Sequence, residues 1–128
     1  MARVTGIGGV FLRARDPAAL GRWYHDMLGL PVHGEFAMLS ARDDSPDAIT
    51  VWAAFKEDTG YLGPRSQQAM INYRVDDLDG LLRRLAAAGV TIDPKRGDEE
   101  NGRFAWIVDP EGNRIELWEP RGKQSETR

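Results

Sequence analysis

The chain contains no cysteine. That excludes a disulfide framework, a thiolate nucleophile and any zinc site built on cysteine. Imidazole is scarce too, with His25 and His33 the only histidines. Positive charge is not in excess: 17 Lys and Arg stand against 20 Asp and Glu, a formal net charge of −3. With no long basic run either, a nucleic-acid partner is not expected. No apolar stretch is long enough to span a bilayer. The opening Met1-Ala2-Arg3-Val4-Thr5-Gly6 lacks the apolar core of a secretory signal. A cytoplasmic protein without a membrane partner is the expectation. The 128 residues suffice for a single domain with a real core.

What the chain does have is an internal repeat. Arg13-Ala14-Arg15-Asp16-Pro17-Ala18-Ala19-Leu20 aligns with Arg74-Val75-Asp76-Asp77-Leu78-Asp79-Gly80-Leu81. Gly29-Leu30 aligns with Gly89-Val90, and Ala48–Trp52 with Arg114–Trp118. Each half reads as a strand, a helix and then further strands. The first unit covers about 5–56, a linker about 57–68, the second unit about 69–120, and a frayed tail 121–128. Two such units side by side form one curved mixed sheet around a cup. The expected class is α+β, two tandem βαβββ modules with the helices on the outer face.

Local signals support this. Residues 7–15 alternate with period two, as do residues 70–75, so each predicts a strand. Asp16-Pro17 starts a helix whose stripe is Leu20, Trp23, Tyr24 and Met27, and Gly29 suits the left-handed position that ends it. Asp77 starts a second helix with the stripe Leu78, Leu81, Leu82 and Leu85, closed by Gly89. Strands are predicted over 31–33, 35–40 and 49–55, and again over 91–92, 104–108 and 114–118. Asp109-Pro110-Glu111-Gly112-Asn113 is a hairpin turn. Asp43–Asp47 is its counterpart in the first unit, with spacing wrong for an EF-hand. The linker carries Tyr61 and Leu62, placed to tuck against the sheet.

Alternation also divides the faces. Val10, Leu12, Ala14, Ile49, Val51, Ile71, Tyr73, Val75, Ile115 and Leu117 should meet the helices. Phe11, Arg13, Thr50, Trp52, Met70, Asn72, Arg74, Arg114, Glu116 and Trp118 should line the cup. That mixture of aromatic, charged and amide groups is how small-molecule pockets are lined. Arg13 and Arg74 are equivalent by the repeat and suit a carboxylate or phosphate, or else an ion pair within the protein. Trp52 and Trp118 suit a planar or cationic ligand, a filled cup or a subunit contact. Glu116 is the candidate for general-base chemistry. Phe36 and Phe104 correspond by the repeat and read as packing residues; Trp106 lies with Phe104 on a middle strand.

The paired units, the closing Asp109–Leu117 motif and the Trp23–Leu30 segment resemble the vicinal oxygen chelate superfamily. Its members include glyoxalase I, extradiol dioxygenases, fosfomycin-resistance enzymes and bleomycin-binding resistance proteins. The resemblance covers roughly residues 5–120. It implies metal-ligand positions at Gly9, Thr50, Met70 and Glu116, of which only Glu116 is an ordinary hard-metal ligand. The usual divalent site therefore reads as lost, and no cofactor is expected. A shifted site from His33, Glu35 and Glu116 is the one route left to a divalent metal. Three functions follow: metal-free binding of a small organic molecule through Arg13, Thr50, Trp52, Met70, Asn72, Arg74 and Trp118; a lyase, isomerase or dioxygenase-type enzyme with Glu116 as base or residual ligand; or a homodimeric module with the cup buried.

Overall fold

In the computed structural model, residues 1–121 are described. The charged tail predicted from 121 onward lies outside them apart from Arg121 itself. Helix α1 spans Pro17–Leu28. It begins where the sequence places it, because the Asp16 carboxylate accepts from the Ala19 N–H at 3.1 Å and so satisfies a free donor of the first turn. It ends at Gly29, whose φ of 73° is open to a residue without Cβ. Strands β1 (Val32–His33) and β2 (Phe36–Ala37) form a small antiparallel hairpin.

The second half holds the main sheet. It comprises β3 (Ile71–Arg74), helix α2 (Leu78–Ala87), β4 (Thr91–Ile92), β5 (Gly97–Glu99), β6 (Gly102–Val108) and β7 (Arg114–Pro120). The order across the sheet is β3-β7-β6-β4, with β5 also paired to β6. β3 and β7 run parallel, and the remaining pairs are antiparallel. Asp77 starts α2 as Asp16 starts α1, accepting from Gly80 N–H at 3.0 Å. Glu119 of β7 adds a second acceptor for the same helix end, taking the Leu78 N–H at 2.7 Å.

Both helices lie on one side of this sheet. Leu20 and Tyr24 of α1 and Leu78, Leu82 and Leu85 of α2 pack with Ala105, Ile107, Ile115 and Leu117 in one core. Tyr73 and Val75 pack against it. Burying each of the large aliphatic side chains contributes about 1.5–3 kcal/mol. The class is α+β with the helices on the outer face, as the repeat implies.

The two halves differ in how far their strands are paired. Residues 7–15 and 49–55, the counterparts of β3 and β7, are not in strands. Val10 is 63% exposed and Val51 63%, so neither meets a helix; Leu12 is exposed as well, and only Ala14 of the first segment packs on the core. Period-two alternation states which side of a segment is apolar. A strand also needs a neighbouring edge to bond, and alternation is silent on that. β5 is the reverse case. Gly97-Asp98-Glu99 has no apolar alternation and becomes a strand only because Gly102–Phe104 folds back to pair with it.

Candidate functional site

The face of the main sheet turned away from the helices carries the polar and aromatic set. Register places it: Asn72 lies opposite Glu116 and Arg74 opposite Trp118 across β3 and β7. Across β6 and β7, Phe104 lies opposite Trp118 and Trp106 opposite Glu116. The Phe104 and Trp118 rings stack in parallel with centroids 6.0 Å apart. Five of the expected cup residues, Asn72, Arg74, Arg114, Glu116 and Trp118, are therefore brought together on one face. Met70 precedes β3 and is half-buried.

Glu116 is the centre of this face, and only 8% of it is exposed. The Asn72 side-chain amide donates to Oε1 at 2.8 Å. The Trp106 indole N–H donates to Oε2 at 3.0 Å, and the Tyr61 hydroxyl donates to the same oxygen. A buried carboxylate is tolerated when donors replace its lost water, and here three do. They fill three of the roughly four lone-pair directions of the carboxylate, two on Oε2 and one on Oε1. Burial, followed by the hydrogen bond to Glu116, pushes the Tyr61 phenol up to about 12, so it stands as a neutral donor near neutral pH.

Tyr61 reaches the sheet from the linker, as expected of it. Its ring stacks on Phe55 with centroids 5.4 Å apart and meets Trp106 edge-on at 6.1 Å. Arg114 ties the linker down: its Nε donates to the Tyr61 carbonyl at 3.1 Å, and Gln67 bonds both its backbone N–H and its carbonyl at 2.8 Å. The Arg114 guanidinium also pairs with Asp93 at 3.1 Å and lies 5.5 Å from the centre of the Trp106 ring. Lys95 approaches the same ring at 5.6 Å. Arg74 is engaged as well, with Asp44 at 2.6 Å and with the Ile49 carbonyl. Arg74 beside Asp44 holds that carboxyl below its ordinary value. The internal ion pair is thus the role the structure gives Arg74.

The remaining expected site residues stand apart. Gly9, Arg13 and Thr50 are exposed, and Trp52 is 80% exposed, away from Trp118. All four lie on the two segments that form no strand, so the repeat equivalence of Arg13 with Arg74 and Trp52 with Trp118 is not realised as a shared pocket. His33 and Glu35 belong to the exposed β1–β2 hairpin, and among the described residues no three His, Asp or Glu side chains gather to hold a metal ion.

Two partners of Glu116 were not expected from the sequence, Tyr61 and Trp106. For Trp106 a signal existed. The turn at 109–113 sets the hairpin register, which brings Trp106 opposite Glu116. Phe104, two residues earlier, shares its face and lines the cup beside Trp118 rather than the core. For Tyr61 no such signal exists, because linker conformation is not periodic.

A second buried polar cluster holds the closing turn. Asp109, 4% exposed, accepts from the Tyr24 hydroxyl at 2.8 Å, from Glu111 N–H at 2.9 Å, and from the Asn113 backbone and side chain at 3.0 and 2.8 Å. Burial, with Tyr73 and Asp109 close by, raises the Tyr24 phenol far above its ordinary value. Glu111 then reaches back to the backbone N–H groups of Arg15 and Asp16, both at 3.1 Å. The turn motif therefore acts structurally, locking α1 to the β6–β7 hairpin.

This chain belongs to the Glyoxalase/Bleomycin resistance protein/Dioxygenase superfamily, whose family model matches residues 6–117. Among solved structures it is similar to a glyoxalase/bleomycin resistance protein/dioxygenase domain from Frankia sp. EAN1pec, with 21% identity over 93% of this chain and all of that one, at a TM-score of 0.59. A superfamily member from Sphaerobacter thermophilus aligns at 19% identity over 91% of this chain and 98% of that one, with a TM-score of 0.56. A lactoylglutathione lyase from Agrobacterium tumefaciens aligns at 20% identity over 90% and 96% of the two chains, with a TM-score of 0.53. At these identities the likeness is one of fold. No curated protein matches the chain. Among the described residues no helix is long and apolar enough to cross a membrane.

Proposed function

We propose that this chain binds a small organic molecule on the Glu116 face of its main sheet and does so without a divalent metal. One observation carries the reading. Of the four positions where the superfamily resemblance implies ligands, only Glu116 bears a hard donor, and both its oxygens are already engaged by Asn72, Trp106 and Tyr61. Gly9 offers no side chain, Met70 a soft thioether and Thr50 a weak donor, so the set does not fit a divalent ion. What the face holds instead is a carboxylate bordered by the rings of Trp106, Trp118 and Phe104, both indoles nearly buried, a combination suited to a flat ligand with a polar edge once the Tyr61 contact opens.

Metal content of protein purified without chelator or affinity tag tests the first half. Melting curves with Ni²⁺, Zn²⁺, Mn²⁺, Fe²⁺ and Co²⁺ extend it. Near-stoichiometric metal, or a large rise in melting temperature with one ion, overturns the metal-free reading. A ligand screen that follows the indole N–H signals of Trp106 and Trp118 by NMR tests the second half.

A second reading has its own observation. Val10, Phe11, Val51, Trp52 and Phe55 are large apolar side chains left at least half exposed. Exposed apolar side chains in this number suit a contact between two copies of the chain. Light scattering on the wild type and on Trp52→Ala tests it: a dimer that the variant disperses supports this reading, and a monomeric wild type ends it.

A further inference from the structure

Tyr61 belongs to no strand or helix, yet it makes the most intimate contacts on the candidate face. Its hydroxyl donates to Glu116, its ring lies flat on Phe55, and its edge meets Trp106. These are the contacts a bound planar molecule with a hydroxyl group would make. The segment that delivers it has few ties to the sheet. Among the described residues, and apart from Tyr61 itself, its hydrogen bonds to the sheet are those of Gln67 with Arg114 and that of Arg114 to the Tyr61 carbonyl, with Gly63 lying against the Arg114 side chain. The segment also borders a solvent-open cleft of about 270 Å³ lined by Phe55, Thr59, Leu62, Pro64 and Gln67 among others.

We propose that residues 55–67 form a displaceable strap in which Tyr61 occupies the ligand's place, and that the ligand is a flat aromatic ring bearing a neutral hydroxyl donor. This rests on the binding reading above and deepens it by naming the ligand class. The argument is one of complementarity. Glu116 Oε2 is left by Trp106 with room for one more donor, and the strap fills it with a phenol. A ligand that brings its own phenolic O–H replaces that bond like for like. A ring without a donor would leave the buried carboxylate short of a partner, which costs more than any stacking contact returns. An anionic ligand would meet Glu116 itself. The elevated proton affinity of the Tyr61 phenol agrees, since a hydroxyl in this place stays protonated and donates. Because the strap competes with the ligand, the apparent affinity is lowered by the fraction of molecules in which the strap is closed.

The test uses the full chain, wild type and Tyr61→Phe, with p-cresol and 4-methylanisole as probes and the Trp106 indole N–H as the reporter. Tyr61→Phe keeps the ring on Phe55 and removes only the hydroxyl, so the strap is loosened without loss of its packing; a single cooperative melting transition, lowered by no more than the loss of one hydrogen bond implies, verifies that. The expected result is saturable p-cresol binding to the wild type, tightened about fivefold in Tyr61→Phe, as loss of one hydrogen bond from the closed state predicts. 4-Methylanisole should leave the reporter unmoved in both proteins. The proposal is overturned by an affinity that Tyr61→Phe leaves unchanged or weakens, by 4-methylanisole binding as tightly as p-cresol, or by p-cresol binding to neither protein. Another compound that moves the Trp106 and Trp118 signals, with an affinity indifferent to Tyr61→Phe, defeats the strap while the binding reading stands. No compound moving those signals in either protein defeats both.

Discussion

Glu116→Gln and Glu116→Ala separate the hydrogen bonds of the central carboxylate from its charge. In the wild type, Oε2 accepts from Tyr61 and Trp106, and Oε1 accepts from Asn72. A glutamine can keep its oxygen on the Tyr61 and Trp106 side and turn its amide NH₂ toward Asn72. Asn72, which is exposed and free to rotate its own amide, then presents oxygen instead of nitrogen. All contacts survive. All three bonds weaken from charge-assisted to neutral, but the cost of burying a charge disappears, and these effects oppose each other. The expected loss is at most about 1 kcal/mol. Alanine leaves the buried Trp106 N–H without a partner, about 1–3 kcal/mol, while Tyr61 and Asn72 recover water. It also forfeits one buried methylene at about 0.8 kcal/mol. With relief of the buried charge set against this, the net loss should be roughly 2 kcal/mol. Urea unfolding followed by far-ultraviolet circular dichroism measures both variants, and the Trp106 indole N–H signal reports whether its acceptor persists. If Glu116→Gln loses as much as Glu116→Ala, the charge and not the bonding pattern holds this site, and the reasoning fails.

Three further perturbations have defined outcomes. Tyr24→Phe removes one of the donors to buried Asp109 and should cost about 1–3 kcal/mol in urea unfolding, because the acceptor is a carboxylate; a change below measurement error would mean that the turn holds itself. Leu85→Ala empties a fully buried position between α2 and the sheet and should cost about 2–5 kcal/mol, read in the same experiment. Glu111 titrates below the ordinary carboxylate range, held there first by the Asp16 and Arg15 backbone N–H groups and then by the Arg15 side chain. A lowered value in the folded state means that its contribution is complete above the ordinary range and lost as pH falls through the folded value. Melting temperature should therefore fall on acidification, and Glu111→Gln should flatten that fall; a variant with an unchanged acid slope refutes the assignment.

How much of this was legible in the sequence depends on whether a feature is written locally. Helix starts are: Asp16 and Asp77 each bond the backbone N–H three residues on. Faces within a paired strand are: Ile115 and Leu117 meet the helices while Glu116 and Trp118 turn away. The turn at 109–113 fixes the register of its hairpin, and with it the pairing of Trp106 with Glu116. Partnership across the chain is not written locally. Residues 7–15 and 49–55 carry the same alternation as β3 and β7, yet nothing in alternation names the edge they bond. Nor does any pattern in a linker state which of its side chains reaches a carboxylate, so Leu62 and Tyr61 looked equivalent until geometry separated them.

That asymmetry bears on the chemistry. The Glu116 face is assembled from β3, β6, β7 and the linker, with no side chain from residues 1–40 in its hydrogen bonds. The repeat-related set of Arg13, Thr50 and Trp52 therefore does not mirror it. A carboxylate whose donors come from sheet, sheet and linker is complete without the first unit. In the opposite half, Thr50 stands at the position equivalent to Glu116 and has neither the charge nor the reach to gather three donors. The counterparts of Asn72 and Trp106 by the same alignment, Phe11 and Met38, offer no hydrogen-bond donor in their side chains, and the first half lacks the paired strands that would gather them, so one polar centre forms instead of two. A ligand that reads this protein should accordingly be small enough to contact one carboxylate and its surrounding rings, and Thr50→Glu should leave its affinity unchanged.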